Sequence, residues 1–171
     1  LNQSYENFEL IIINDCSNEN TKQVINRFKD KYSGIVRSYS FLNSVGAPKA
    51  RQKGIDMSSG GYVAFLDDDD EWLPNKLLLQ VKALEENRAL GAITCWYYRN
   101  IGNKEKDIKA KLADNIEPHD IYWSNFLGSF SFVLAKKELF KNSDIINSSL
   151  QSCQDWDFWI KILSISSVGV I

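Results

Sequence analysis

Asp67, Asp68, Asp69 and Asp70 form an unbroken run of four carboxylates, the densest concentration of reactive groups in the 171-residue chain. Neighbouring like charges raise one another's pKa unless a cation or a proton relieves them. A divalent ion would do so, and hard oxygen donors suit Mg²⁺ or Mn²⁺. An ion held by few carboxylates keeps open positions for diphosphate oxygens, whose growing negative charge it can neutralise as a leaving group departs. In extended backbone Asp67 and Asp69 would face one side and Asp68 and Asp70 the other, so one side could hold metal and its neighbours sugar hydroxyls. The competing reading is a solvated acidic turn, the usual fate of a charge run. Its position directly after Val63-Ala64-Phe65-Leu66 weighs against that reading.

Three further residues carry weaker signals. Asp15 precedes Cys16-Ser17 and could simply cap a loop. Arg51 could be a helix-surface residue whose stem packs on the sheet. Asp155 could cap the helix that carries Trp156 and Trp159. Trp72, Trp156 and Trp159 could stack on a sugar, although aromatics at helical spacing more often fill a core. His119 is the sole histidine. With no motif around a nucleophile, it specifies neither a Ser-His-Asp nor a Cys-His arrangement.

The elements that must position these groups alternate between strand and helix. Residues 9–13 are an aliphatic run entering a polar loop, residues 21–32 carry Val24, Ile25, Phe28 and Tyr32 at helical spacing, and residues 35–41 read as a second strand. A helix over residues 47–57 presents the small residues Ala47, Ala50 and Gly54, with Pro48 in its first turn. Residues 62–66 form a buried strand that delivers the chain into the acidic run. Pro74 opens a helix to about residue 87, with Leu77, Leu78, Val81 and Leu84 inward and Lys76, Gln80, Glu85 and Glu86 outward. A strand follows over residues 92–98. Residues 100–118 are charged and aperiodic, the pattern of a long mobile loop. Extended structure resumes at residues 131–135, a loop spans residues 142–154, and Trp156, Trp159, Ile160 and Leu163 mark a last helix. The alternation predicts an α/β, mostly parallel sheet flanked by helices, in which ligands bind beyond the carboxyl ends of the strands.

Composition narrows the partners. A hydrophobic content of 44% suffices for one domain over residues 1–171. Lys+Arg 20 against Asp+Glu 22 leaves a net charge of -2, so no global positive field attracts nucleic acid. Cys16, Cys95 and Cys153 lack metal or disulfide spacing and suit free thiols in a reducing, cytoplasmic compartment. The apolar stretch 121–135 is interrupted by polar residues and falls short of a membrane span. The opening residues do not resemble a signal peptide.

Four ordered segments together resemble family 2 glycosyltransferases. Phe65-Leu66-Asp67-Asp68-Asp69-Asp70-Glu71-Trp72-Leu73-Pro74 is similar to that family's metal-binding segment, and Gly46-Ala47-Pro48-Lys49-Ala50-Arg51-Gln52-Lys53-Gly54 to its Gly-x-x-x-Ala-Arg-Asn-x-Gly helix. Residues 10–17 resemble its second strand and the following Asp-Asp-Gly-Ser loop. Gln154-Asp155-Trp156-Asp157-Phe158-Trp159 resembles its Glu-Asp segment before a late helix, with Gln154 in place of the usual Glu.

The resemblance implies a GT-A fold lacking its first strand, in a chain trimmed at both ends. Residues 1–99 would form the nucleotide-sugar part and residues 100–171 the acceptor-side part. It further implies inverting transfer from a nucleotide sugar, with a UDP-sugar expected, to a glycan or lipid-linked acceptor, Mn²⁺ or Mg²⁺ as cofactor, and at most peripheral association with the cytoplasmic membrane face. Carried over, Asp15 contacts the base, Arg51 the base and phosphates, Asp67 and Asp69 the sugar and ribose. Asp69 and Asp70 hold the metal, and Asp155 is the catalytic base. The alternatives are a metal-dependent nucleotidyltransferase and a non-catalytic glycan-binding or assembly module.

Overall fold

The computed structural model describes residues 1–101, 104–108, 118–141 and 145–171. Strand β1 (Leu10–Asn14) leads through helix α1 (Glu19–Lys31) to β2 (Val36–Ser40), and the two strands pair in parallel from Leu10↔Val36 to Asn14↔Ser40. Asn18 caps α1 by accepting a hydrogen bond from the Thr21 amide. Only Ile25 of the predicted α1 stripe is buried; Val24 and Phe28 are exposed. Helix α2 (Ala47–Met57) starts after Gly46, whose φ of 86° is a conformation that favours glycine, and carries Pro48 in its first turn.

The main sheet has the order β3 (Tyr62–Ala64), β7 (Leu134–Lys136), β4 (Leu90–Thr94), β8 (Ser167–Val170). Both β3 and β4 run antiparallel to β7, while β4 and β8 are parallel. Thus β3, β4 and β8 share one direction, and β7 is the single reversed strand inserted between them. The α/β sheet expected from the sequence is present, with this insertion as the feature that local patterning did not contain.

Helix α3 (Lys76–Glu86) packs on the sheet and corrects one expectation. Lys76 and Gln80 face inward, at 8% and 0% exposure, whereas Leu78 is exposed. The two polar side chains satisfy each other and the sheet. Lys76 Nζ donates to Gln80 Oε1 at 2.7 Å, Gln80 Nε2 donates to the Phe132 carbonyl at 2.7 Å, and the ammonium lies 4.1 Å from the Trp72 ring centroid. Burial pushes the Lys76 pKa down to about 8.

Beyond β4, residues 97–101 and 104–108, expected in part as a mobile loop, pair as the antiparallel hairpin β5 (Tyr97–Ile101) and β6 (Lys104–Ile108). Residues 102–103 and 109–117 of that expected loop lie outside the described residues, as do 142–144 of the later one. Helix α4 (Gln154–Ile165) closes the core with Phe158, Trp159 and Ile162, all fully buried, against Phe65, Phe130 and Phe140. Three of these aromatics meet the Phe65 ring edge-on, with centroids 5.2 to 6.4 Å apart. Among the described residues no helix is long and apolar enough to cross a membrane.

Candidate active site

The acidic run leaves the sheet where β3 ends. Phe65 is buried, which commits the backbone on its amino side to the core, and the Asp67 amide is then fixed by donating to Ser131 Oγ at 2.9 Å. The Asp70 amide donates to the Asp67 carbonyl at 3.2 Å, so Asp68 and Asp69 sit in a turn. This corrects the expected strand-like alternation of the four side chains: the extended backbone stops before the quartet. Asp67 is turned inward, with 33% of its side chain exposed, while Asp68, Asp69 and Asp70 are exposed. Trp72 secures the far side of the turn, its indole donating to the Ser131 carbonyl at 2.7 Å.

Arg51 is the hub of the arrangement. It lies on α2, one turn beyond the helix start, and only 17% of its side chain is exposed. Nη2 meets Asp67 Oδ1 at 2.7 Å, Nη1 donates to Gln154 Oε1 at 2.8 Å, and the guanidinium lies 4.2 Å from the Phe130 ring centroid. The arginine therefore joins the carboxyl end of β3 to the first residue of α4, 103 residues later in the chain. A guanidinium has five N–H donors, and these two contacts leave others for a further anion.

Asp15 belongs to the start of the same helix. Its carboxylate accepts from the Val45 amide at 2.7 Å, the Gly46 amide at 2.9 Å and the Ser44 hydroxyl at 2.8 Å, all immediately before α2. Burial pushes its pKa up, but the three hydrogen bonds outweigh that effect and hold it below its ordinary value. Asp15 thus organises the loop that launches α2. Asp155 lies in the first turn of α4, its Oδ1 accepting from the Trp156 amide at 2.9 Å and its Oδ2 from Asn125 Nδ2 at 3.0 Å. Cys153, the residue before the helix, adopts a left-handed conformation and provides no side-chain cap. Asp155 consequently serves a helix-start amide and remains partly open to solvent.

The structure brings Arg51, Asp67 and Gln154 into direct contact, places Asp155 next to Gln154, and leaves Asp69 and Asp70 on the exposed turn beside Asp67. Asp15 joins them through α2 rather than by contact. Ser131, Asn125 and Phe130 support the site and were not singled out from the sequence; nothing in local spacing marks them. Trp72, Trp156 and Trp159 each donate the indole N–H to a backbone carbonyl, so all three anchor structure. His119 is exposed, 3.5 Å from Asp120. A cavity of about 680 Å³ lined by Ile55, Asp56, Tyr62 and Lys137 lies at the opposite end of β3 and contains none of the predicted site residues.

Among the described residues, no three His, Cys, Asp or Glu side chains converge to hold an ion unaided. Asp69 and Asp70 nonetheless fit a divalent ion as partial ligands. Both are hard oxygen donors at the carboxyl end of a sheet strand, and nothing among the described residues engages their carboxylates.

Comparison with known proteins now bears on this geometry. The profile of Glycosyl transferase family 2 matches residues 1–143. A Rickettsia bellii protein described as an uncharacterized glycosyltransferase is 34% identical over the whole chain, which corresponds to 24% of that protein. The amylovoran biosynthesis glycosyltransferase AmsB of Erwinia amylovora is 31% identical over 83% of this chain and 48% of its own. The chain spans less than two thirds of the length of such relatives. Among solved structures, S. aureus TarS 1–349 in complex with UDP superposes with a TM-score of 0.80 at 18% identity, covering 99% of this chain and 51% of that one. The mannosyltransferase PcManGT from Pyrobaculum calidifontis, in complex with GDP-Man and Mn²⁺, gives 0.71 at 17% identity, covering 99% and 47%. These likenesses establish the GT-A fold, and with the profile match over most of its length the chain belongs to glycosyl transferase family 2.

Proposed function

We propose that this domain transfers a sugar from a nucleoside diphosphate sugar, specifically a UDP-sugar, to an acceptor hydroxyl on a glycan or lipid-linked glycan, with inversion at the anomeric carbon. The observation that carries the proposal is the Arg51 bridge, which ties Asp67 to the residue preceding Asp155. A donor diphosphate laid along the acidic turn would lie beside a base-bearing helix. The TarS complex with UDP supports the choice of nucleotide, and the PcManGT complex with Mn²⁺ supports a metal at the turn.

The residues then divide the work. Asp15 holds the α2 start and contacts the nucleotide base. Arg51 offers its remaining N–H donors to the phosphates, while Asp67 and Asp69 receive hydroxyls of the ribose and the transferred sugar. Mn²⁺ or Mg²⁺ bound at Asp69 and Asp70 would neutralise diphosphate charge. Asp155 accepts the acceptor's hydroxyl proton as that oxygen bonds to the anomeric carbon, and the bond to the diphosphate oxygen breaks with its electron pair leaving on the nucleotide. A single base and a single displacement invert the centre. Three free cysteines support a cytoplasmic setting.

The test uses the full-length protein. UDP affinity should depend on Mn²⁺ and fall at least tenfold in Asp70→Ala; an unchanged affinity would remove the metal from this turn. Asp155→Asn should bind UDP normally and lose transfer, whereas full turnover would reassign the base. Release of free sugar from the donor in the absence of acceptor would separate this reading from a non-catalytic binding module.

A further inference from the structure

With the indoles of Trp72, Trp156 and Trp159 all committed to backbone carbonyls, the aromatic groups left to meet a ligand near Asp155 are others. Trp123 is 85% exposed and its neighbour Tyr122 is 64% exposed. Their setting is firm. The Trp123 amide donates to the Asp120 carbonyl at 3.1 Å, closing the short 3-10 turn Pro118–Tyr122 that packs on α4. Ile121 is buried, and its carbonyl accepts the Trp156 indole at 2.6 Å. Two residues beyond Trp123, Asn125 donates to Asp155 Oδ2. The exposed pair is therefore pinned on both sides to the first turn of α4, one anchor being a direct hydrogen bond to the candidate base.

The chemistry of the surroundings selects the ligand. Leaving two consecutive large aromatic side chains in water is costly unless a partner covers them. Residues 119–128 contain no Lys or Arg, while Asp120 belongs to this segment and Asp155 and Asp157 to the first turn of α4. Lys161, one turn further along α4, is paired with Asp157 at 2.8 Å, so the described border presents no basic cluster of the kind an anionic membrane surface seeks. Aromatic faces edged by carboxylates and amides match a pyranose ring, which offers C–H groups from its face and hydroxyls from its rim. We propose that Trp123 and Tyr122 form the acceptor platform, on which an uncharged sugar ring stacks with its hydroxyl presented towards Asp155. This assignment rests on Asp155 being the base of the reaction proposed above.

The experiment labels the full-length protein with 5-fluorotryptophan, assigns the Trp123 fluorine resonance with Trp123→Phe, and titrates neutral tetrasaccharides of glucose, galactose, mannose and N-acetylglucosamine. At least one tetrasaccharide should shift the Trp123 resonance saturably. Trp123→Ala should weaken that binding at least tenfold by calorimetry with an unchanged melting temperature, because the side chain is exposed. No shift from any tetrasaccharide, equal affinity in Trp123→Ala, or a shift produced only by phosphatidylglycerol–phosphatidylcholine vesicles would overturn the proposal. UDP with Mn²⁺ is titrated into the wild-type protein in parallel. Failure there would sink the donor reading, and the sugar titration would still decide the platform.

Discussion

Arg51 shows how one side chain can unite segments that the sequence keeps far apart. Its guanidinium is mostly buried and balanced by Asp67 and Gln154, so removing it strands a half-buried carboxylate and an amide oxygen. Arg51→Ala should cost about 2 kcal/mol, below the range for a fully buried pair because a third of the Asp67 side chain reaches water. Asp67→Asn, which keeps an oxygen for Arg51, should cost about half as much; equilibrium urea unfolding of both variants measures the difference. Asp15 behaves differently because its partners are backbone amides. Its pKa is lowered in the folded state, so its contribution is fully present above the ordinary value of 3.8 and is lost as pH falls through the lower folded value. The destabilisation by Asp15→Ala, about 1–2 kcal/mol at pH 7 for lost capping bonds, should therefore shrink in unfolding measurements taken at pH 3. The location of the acidic run was legible in the sequence because a buried aliphatic segment leads straight into it. The partner of Arg51 was not, since local periodicity carries no information about a contact across 103 residues.

Helix α3 marks the limit of amphipathic patterning at the scale of an element. Counting polar residues as outward placed Lys76 and Gln80 in solvent, yet they lie four residues apart on the inner face, where Gln80 accepts from Lys76 and donates to the Ile93 and Phe132 carbonyls. The reversed strand β7 was equally hidden, because the three residues Leu134-Ala135-Lys136 carry no directional signal and only pairing with β3 and β4 sets their sense. Strand and helix existence, by contrast, followed from hydrophobic spacing through most of the chain. The buried ammonium gives a stability signature. Its folded pKa of about 8 lies below the ordinary 10.5, so the penalty for burying the charge is complete below pH 8 and fades as pH rises towards 10.5. Relative to Lys76→Met, the wild type should gain about 1 kcal/mol between pH 8 and pH 9. Burial raises the Cys95 thiol nearby, an effect common to both proteins that largely cancels in the comparison. A pH-independent difference in urea unfolding would show that the ammonium is hydrated after all.

At the scale of the whole molecule, the site spans two sheets that share no ladder hydrogen bonds. Asp15 follows β1 in the two-stranded sheet, and Asp67 follows β3 in the four-stranded one. Helix α2 carries Arg51 between them, packing closely on β1 where Gly54 faces Ile13. At the other end of α2 the joint is made by Glu9, which accepts from the Ser59 amide and hydroxyl and the Gly60 amide and pairs with Arg37. Arg37 in turn donates to the Met57 carbonyl, the last residue of α2. Burial pushes the Glu9 pKa up, yet these donors prevail and hold it low, so the joint is ionised at neutral pH. If the two sheets open as separate cooperative units, loosening this joint should be felt on one side first. Glu9→Ala should speed amide hydrogen exchange in β1 and β2 about tenfold, equivalent to roughly 1.4 kcal/mol of local opening, while β4 amides change less than twofold. Equal acceleration in β2 and β4 would mean that the molecule opens only as a whole, and that the alignment of Asp15 with Asp67 is fixed by the common core rather than by Glu9.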